Sequence, residues 1–95
     1  MDNSSPDSVC AAFSERSEKI TIRTVDDGQV LIEGDAAALE FLGNLLIAQA
    51  RFRKDCGFQI SPSGPGSAVF SQSSNVGIFI HRLPCAHGGA DAHAA

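Results

Sequence analysis

The chain has 95 residues, 43% of them apolar, and a formal net charge of −4. A chain of this length makes one small domain, near the size at which burial alone is marginal, so self-association is an expectation from the outset. The acidic balance argues against a nucleic-acid binder, and no run approaches the roughly eighteen apolar residues of a membrane span.

Residues 1–18 read as a partly disordered N-terminal segment carrying one or two turns of helix. Ser5 is placed to cap that helix, Pro6 suits its first position, and Val9, Ala12, Phe13 and Arg16 follow at helical spacing. Its expected task is to lay Phe13 over an open edge of the core. A single domain then spans residues 19–84.

Residues 19–25, KITIRTV, alternate as a half-buried strand does, with Ile20, Ile22 and Thr24 on one face. Asp26-Asp27-Gly28 is a hairpin signal. Residues 29–33 return with Val30 and Ile32 on the Ile20 face and with Leu31 and Glu33 on the other.

Gly34 breaks that strand, and Asp35 caps a helix predicted over residues 36–54, its carboxylate also favoured by the positive end of the helix dipole. Ala38, Phe41, Leu42, Leu45, Leu46, Ala50 and Phe52 share one broad arc, with Gln49 inside it and Ile47 outside. Gly57 is expected to stop the helix in the left-handed conformation. Gly43 costs about 1 kcal/mol relative to alanine in mid-helix. It opens a flank at Leu39, Gly43 and Ile47 that either the chain's own N-terminal segment or a second copy could cover.

A third strand is predicted over residues 58–61 and a turn over residues 61–67, SPSGPGS. Residues 68–75 fit either a strand or one turn of helix. Residues 76–83 read as a strand with Ile78 and Ile80 inward and Phe79 and His81 outward, ended by Pro84. Residues 85–95 are an Ala/Gly/His tail with nothing to bury, expected to be disordered. The order is ββαββ. One four-stranded, mostly antiparallel sheet with a long helix across one face, an α+β fold, would satisfy every apolar stripe.

Little here reads as chemistry, and no cofactor is expected. Cys10, Cys56 and Cys85 are widely spaced, without CxxC, and the N-terminus lacks the features of a secretory signal. The expectation is reduced thiols in the cytoplasm. His81, Cys85 and His87 form H-x3-C-x-H, which suits zinc in ligand type but lacks a second anchoring pair. A metal-binding module is therefore the weakest of the functional readings. Cys56 with His81 would make a nucleophile pair only against the negative end of the helix dipole. SPSGPGS has neither the lysine nor the threonine of a phosphate-binding loop.

Charge and shape point instead to a protein partner. Asp26, Asp27, Glu33, Asp35 and Glu40 are acidic with no basic residue among positions 26–40. They form two spots, one at the hairpin tip and one at the helix start, that would attract a basic surface. Leu31 and Phe79 on the sheet's outer face would add a modest apolar patch. The alternative is a self-associating scaffold domain, a homodimer through Leu39, Gly43 and Ile47.

The run VLIEGDAAALEFLGNLLIAQA and the later FQISPSGPGSAVFSQSSNVGIFIHR resemble the thirty-second numbered immunity-protein family of bacterial polymorphic-toxin systems. The strand-Gly-Asp-helix corner at residues 30–35, the leucine-rich helix and the aliphatic strand ending in His81-Arg82 carry the resemblance, over about residues 20–83. The third strand departs from it: FQIS stands where such sequences have a histidine. The resemblance implies a non-catalytic protein that binds and neutralises a cognate toxin, and it transfers no site residues.

Overall fold

The structure, a computed structural model, describes residues 5–85. Two helices and four short strands follow in the order α1 (Pro6–Ser14), β1 (Thr21–Asp26), β2 (Gln29–Glu33), α2 (Ala36–Arg51), β3 (Gly57–Ile60) and β4 (Ile78–His81). A single 3-10 turn, Ser67–Val69, lies between the last two strands. The fold is α+β, with the strands in two separate antiparallel pairs, β1–β2 and β3–β4.

α1 starts as its sequence indicates. The Ser5 hydroxyl accepts the Ser8 N–H at 3.1 Å, with Pro6 in the first turn. Val9, Cys10 and Phe13 are buried, and the Phe13 ring stacks on Phe41 of α2 with centroids 4.3 Å apart. The N-terminal helix therefore belongs to the core.

The first hairpin has the expected faces. Ile22 sits opposite Ile32 and Thr24 opposite Val30, so all four side chains lie on one side. The turn is not the doubly left-handed form that Asp-Gly often adopts. Gly28 has φ 77, but no non-glycine residue among those described has positive φ. A bulge between Thr24 and Asp26 absorbs the mismatch between such a turn and the strand twist.

The expected single four-stranded sheet is not formed among the described residues, and the reason lies in residues 69–76. The Ile20 N–H donates to the Val69 carbonyl at 2.9 Å, and the Ser71 N–H to the Ile20 carbonyl at 2.7 Å. The Ile22 carbonyl accepts from Asn75 at 3.0 Å and Val76 at 3.3 Å. The Ile22 N–H donates to the Ser74 hydroxyl, and the Thr24 N–H to the Asn75 side-chain oxygen, each at 3.1 Å. The edge of β1 that a third strand would need is thus already satisfied by an irregular segment. The only ladder contact in that segment is one parallel bridge, Ile20 to Phe70.

α2 stops earlier than predicted. Its last helical residue is Arg51, Phe52 is extended, and Gly57 lies in β3 with no left-handed turn. Gln49, the polar residue of the apolar arc, explains the early exit. Its amide N–H donates to the Cys56 carbonyl at 2.7 Å and to the Asp55 carbonyl at 3.4 Å, so the chain folds back under the helix end. The buried arc is also rotated from the predicted one. Ala38, Phe41, Leu45, Ala48 and Gln49 are buried, whereas Leu46 and Ala50 are exposed, because α1 packs on the Phe41 side.

The cysteines overturn the expectation of reduced thiols. Cys56 and Cys85 form a disulfide with a Cα separation of 5.7 Å, and Cys10 is the free, buried one. It ties the segment after β4 to the segment before β3. The Arg82 guanidinium, donating to the Phe52 carbonyl at 3.0 Å, reinforces that tie, as does the Arg82 N–H on the Cys56 carbonyl at 2.8 Å.

Candidate functional site

The first hairpin is where buried pattern and exposed surface part company. Ile20 and Ile22 are fully inside, yet Val30 is 51% and Ile32 46% exposed on the same face. Val25, the residue of the bulge, is exposed as well. The core is filled before it reaches β2, so the second strand projects beyond it with its apolar side chains uncovered.

The free edge of β2 can be identified from the bonds of β1. In an antiparallel pair, residues that bond across the ladder alternate with residues whose backbone groups point outward. Ile22 and Thr24 direct theirs to residues 74–76, so Thr21–Glu33 and Arg23–Leu31 are the bonded pairs. Val30 and Ile32 therefore turn their N–H and C=O groups away from β1. No other segment among the described residues pairs with that side.

The predicted acidic residues frame this strand. Asp26 and Asp27 stand exposed at the hairpin tip, beside an open depression that Thr24, Val25 and Gly28 complete. Glu33 and Asp35 are exposed at the other end, where the Asp35 carboxylate also caps α2 by accepting the Ala38 N–H at 2.9 Å. Between them, Gly34 makes the corner. A Cβ there would come within 2.5 Å of the Ala38 Cβ, so only glycine lets β2 enter α2 this tightly.

The two apolar residues expected to share an outer face are not brought together on one sheet. Leu31 is half-buried in β2, and Phe79, 68% exposed, is in β4 of the other sheet. The Phe79 ring lies 6.1 Å from that of His81 and against Gly57, where a Cβ would approach to 3.0 Å.

The α2 flank is also uncovered. Leu39 is 48% and Ile47 51% exposed, and a Cβ on Gly43 would meet nothing within 4 Å. The N-terminal helix does not close over Leu39 and Gly43. It instead forms, with α2, a groove of about 520 Å³ that has Phe13 and Phe41 in its floor and Arg16, Glu40, Ile47 and Arg51 among its walls.

His81, Cys85 and His87 do not make a metal centre of the kind their spacing suggests. Cys85 is bonded to Cys56 and offers no thiolate, and His87 lies outside the described residues. Among the described residues no group of three or more His, Cys, Asp or Glu side chains could hold a metal ion. The same disulfide removes Cys56 as a nucleophile. The remaining thiol, Cys10, is pushed up to about 11, first by burial and then by the charge of Asp7.

Sequence reasoning missed Val30 and Ile32 as surface residues. No local signal marks them, since the centre of QVLIE is apolar on both faces, the pattern of a strand covered on both sides. No helix among the described residues is long and apolar enough to cross a membrane. No protein-family model, curated protein or solved structure matches the chain.

Proposed function

We propose that the chain is a non-catalytic protein-binding domain that neutralises a basic partner by covering it. A toxin domain is the partner that the resemblance to the immunity family implies. The observation that carries this reading is the apolar, exposed second strand with carboxylates at both ends, Asp26 and Asp27 at one and Glu33 and Asp35 at the other. Apolar side chains uncovered beside the core supply contact area, and acids around them favour encounter with a positive surface. The disulfide supports an oxidising compartment as the working environment in preference to the cytoplasm.

Co-expression tests it. The chain should rescue cells from the product of a toxin gene neighbouring its own, and failure to bind that product would remove the reading. Replacing Asp26, Asp27 and Glu33 together with lysine should slow association by about tenfold at low salt, with the difference shrinking as salt rises. Rates unchanged at low salt would remove the electrostatic part.

A second reading has its own observation. The half-exposed Leu39 and Leu46 and the open space over Gly43 fit a helix flank covered by a second copy. Light scattering over a dilution series decides it, since a monomer at every concentration would exclude this contact.

A further inference from the structure

We infer that the open edge of β2 accepts an extended segment of the partner as an added strand, and that this segment is apolar in the middle and basic at both ends. The inference rests on the protein-binding reading above and specifies its chemistry. Three features converge on this edge. The N–H and C=O groups of Val30 and Ile32 face away from β1 and pair with no segment among the described residues. Unpaired strand edges are templates for another strand, and main-chain bonds then supply affinity while alternate side chains supply selection. The side chains of the same two residues are about half exposed on the core face, so apolar residues of an incoming strand would prolong that face.

The charges choose the occupant. A second copy pairing antiparallel about Leu31 would set Asp27 opposite Asp35, and pairing about Val30 would set Asp27 opposite Glu33. Glu33 is the only charged residue of β2, so these carboxylates meet at and beyond the ends of the ladder. With each copy at a net charge of −4, their repulsion disfavours self-pairing. A different chain with Lys or Arg at its ends meets the same carboxylates favourably. The edge itself is five residues long, Gln29–Glu33, roughly 16 Å of extended chain at about 3.3 Å per residue. The segment is thus short, about five apolar-alternating residues between basic flanks.

Natural edges are often blunted by proline or lysine, and residues 29–33 contain neither. Proline also provides the test. An edge strand tolerates proline where its N–H faces solvent, so Ile32→Pro should remove one outward donor while sparing the bonds of Leu31 and Glu33 to β1.

The probe is a nine-residue peptide, acetylated and amidated, with alternating threonine and valine between two lysines at each end. A matched peptide has glutamates for the lysines. Amide hydrogen exchange of the intact chain with about 1 mM peptide should slow at Val30 and Ile32 and leave Leu31 unchanged. Ile32→Pro and Val30→Pro should each weaken binding about tenfold, and the glutamate peptide should not bind.

Four results would overturn the inference. Equal binding of the lysine peptide to wild type and both proline variants would place binding elsewhere and leave the broader protein-binding reading intact. Binding of both peptides alike would remove the charge selection. Absence of exchange protection at Val30 and Ile32 in wild type would exclude strand addition, whether or not the proline variants fold. Protection of those amides in the peptide-free chain, growing with its concentration, would make a second copy the occupant. Rescue from a toxin, measured separately, decides the broader reading in every case.

Discussion

The two hairpins of this protein are built from similar alternating strands and end in opposite situations. β3–β4 is anchored at its base. The Cys56–Cys85 disulfide, the Arg82 bond to Phe52 and the Gln49 amide all converge on the few residues between α2 and β3. β1–β2 is anchored along one edge by the serine-rich segment at residues 71–76 and is open along the other. The difference shows that strand pattern sets which side chains share a face, while stability and accessibility depend on what ties the strand's backbone. What sets β1–β2 apart is an open edge whose outward-facing residues, Val30 and Ile32, also carry exposed apolar side chains.

Breaking what both hairpins share should have the largest effect. Leu45 is fully buried among residues from both helices and the first strand, and Leu45→Ala should destabilise the chain by about 2–5 kcal/mol in urea unfolding. Both hairpins should lose exchange protection together.

Next in size is the disulfide. It closes a segment with a sequence separation of 29, for which the chain-entropy argument gives about 3–4 kcal/mol. Reduction, or the pair Cys56→Ser and Cys85→Ser, should lower stability by that order and loosen β3–β4 first. Equal loosening of β1–β2 would contradict the contrast drawn between the hairpins.

Ser74→Ala probes the other anchor. The Ser74 hydroxyl accepts the Ile22 N–H at 3.1 Å and donates to the Ile20 carbonyl at 3.2 Å, so its loss should cost about 1–2 kcal/mol. Faster exchange should be confined to β1 and its neighbours.

The smallest expected effect concerns Cys10. A thiol raised from 9.0 to about 11 binds its proton more tightly in the folded state than in the unfolded one. The stability it contributes is therefore complete below pH 9 and lost as pH rises towards 11. Alkylation of Cys10 in the folded chain at pH 8 should be slow compared with the unfolded chain. Cys10→Ala should flatten the stability profile in that window without altering either hairpin.

Much of the local structure was legible in the residues. Ser5-Pro6, Asp26-Asp27-Gly28 and Gly34-Asp35 each act over three or four positions, and each marks the start, turn or corner it suggests. The acidic frame of the candidate site was legible too. Its apolar centre was not, because Val30 and Ile32 carry the pattern of core residues and only the position of the core's limit reveals them as surface. The disulfide was also hidden, since cysteines separated by 29 positions meet only once β4 has folded beside β3.

What the sequence by itself determined is therefore the elements and which side chains share a strand face: two helix starts, four alternating strands, and a long helix with a polar residue set in its apolar arc. Those depend on capping, turn chemistry and side-chain period, all of which act between near neighbours. Only the tertiary structure decided that four strands would form two sheets, that Gln49 would draw the chain back under its helix, and that β2 would keep an open edge. Each of those outcomes was a competition for the same backbone groups between segments far apart in the chain. At β1 the irregular stretch that reaches Ile20 and Ile22 holds the edge another strand would have used.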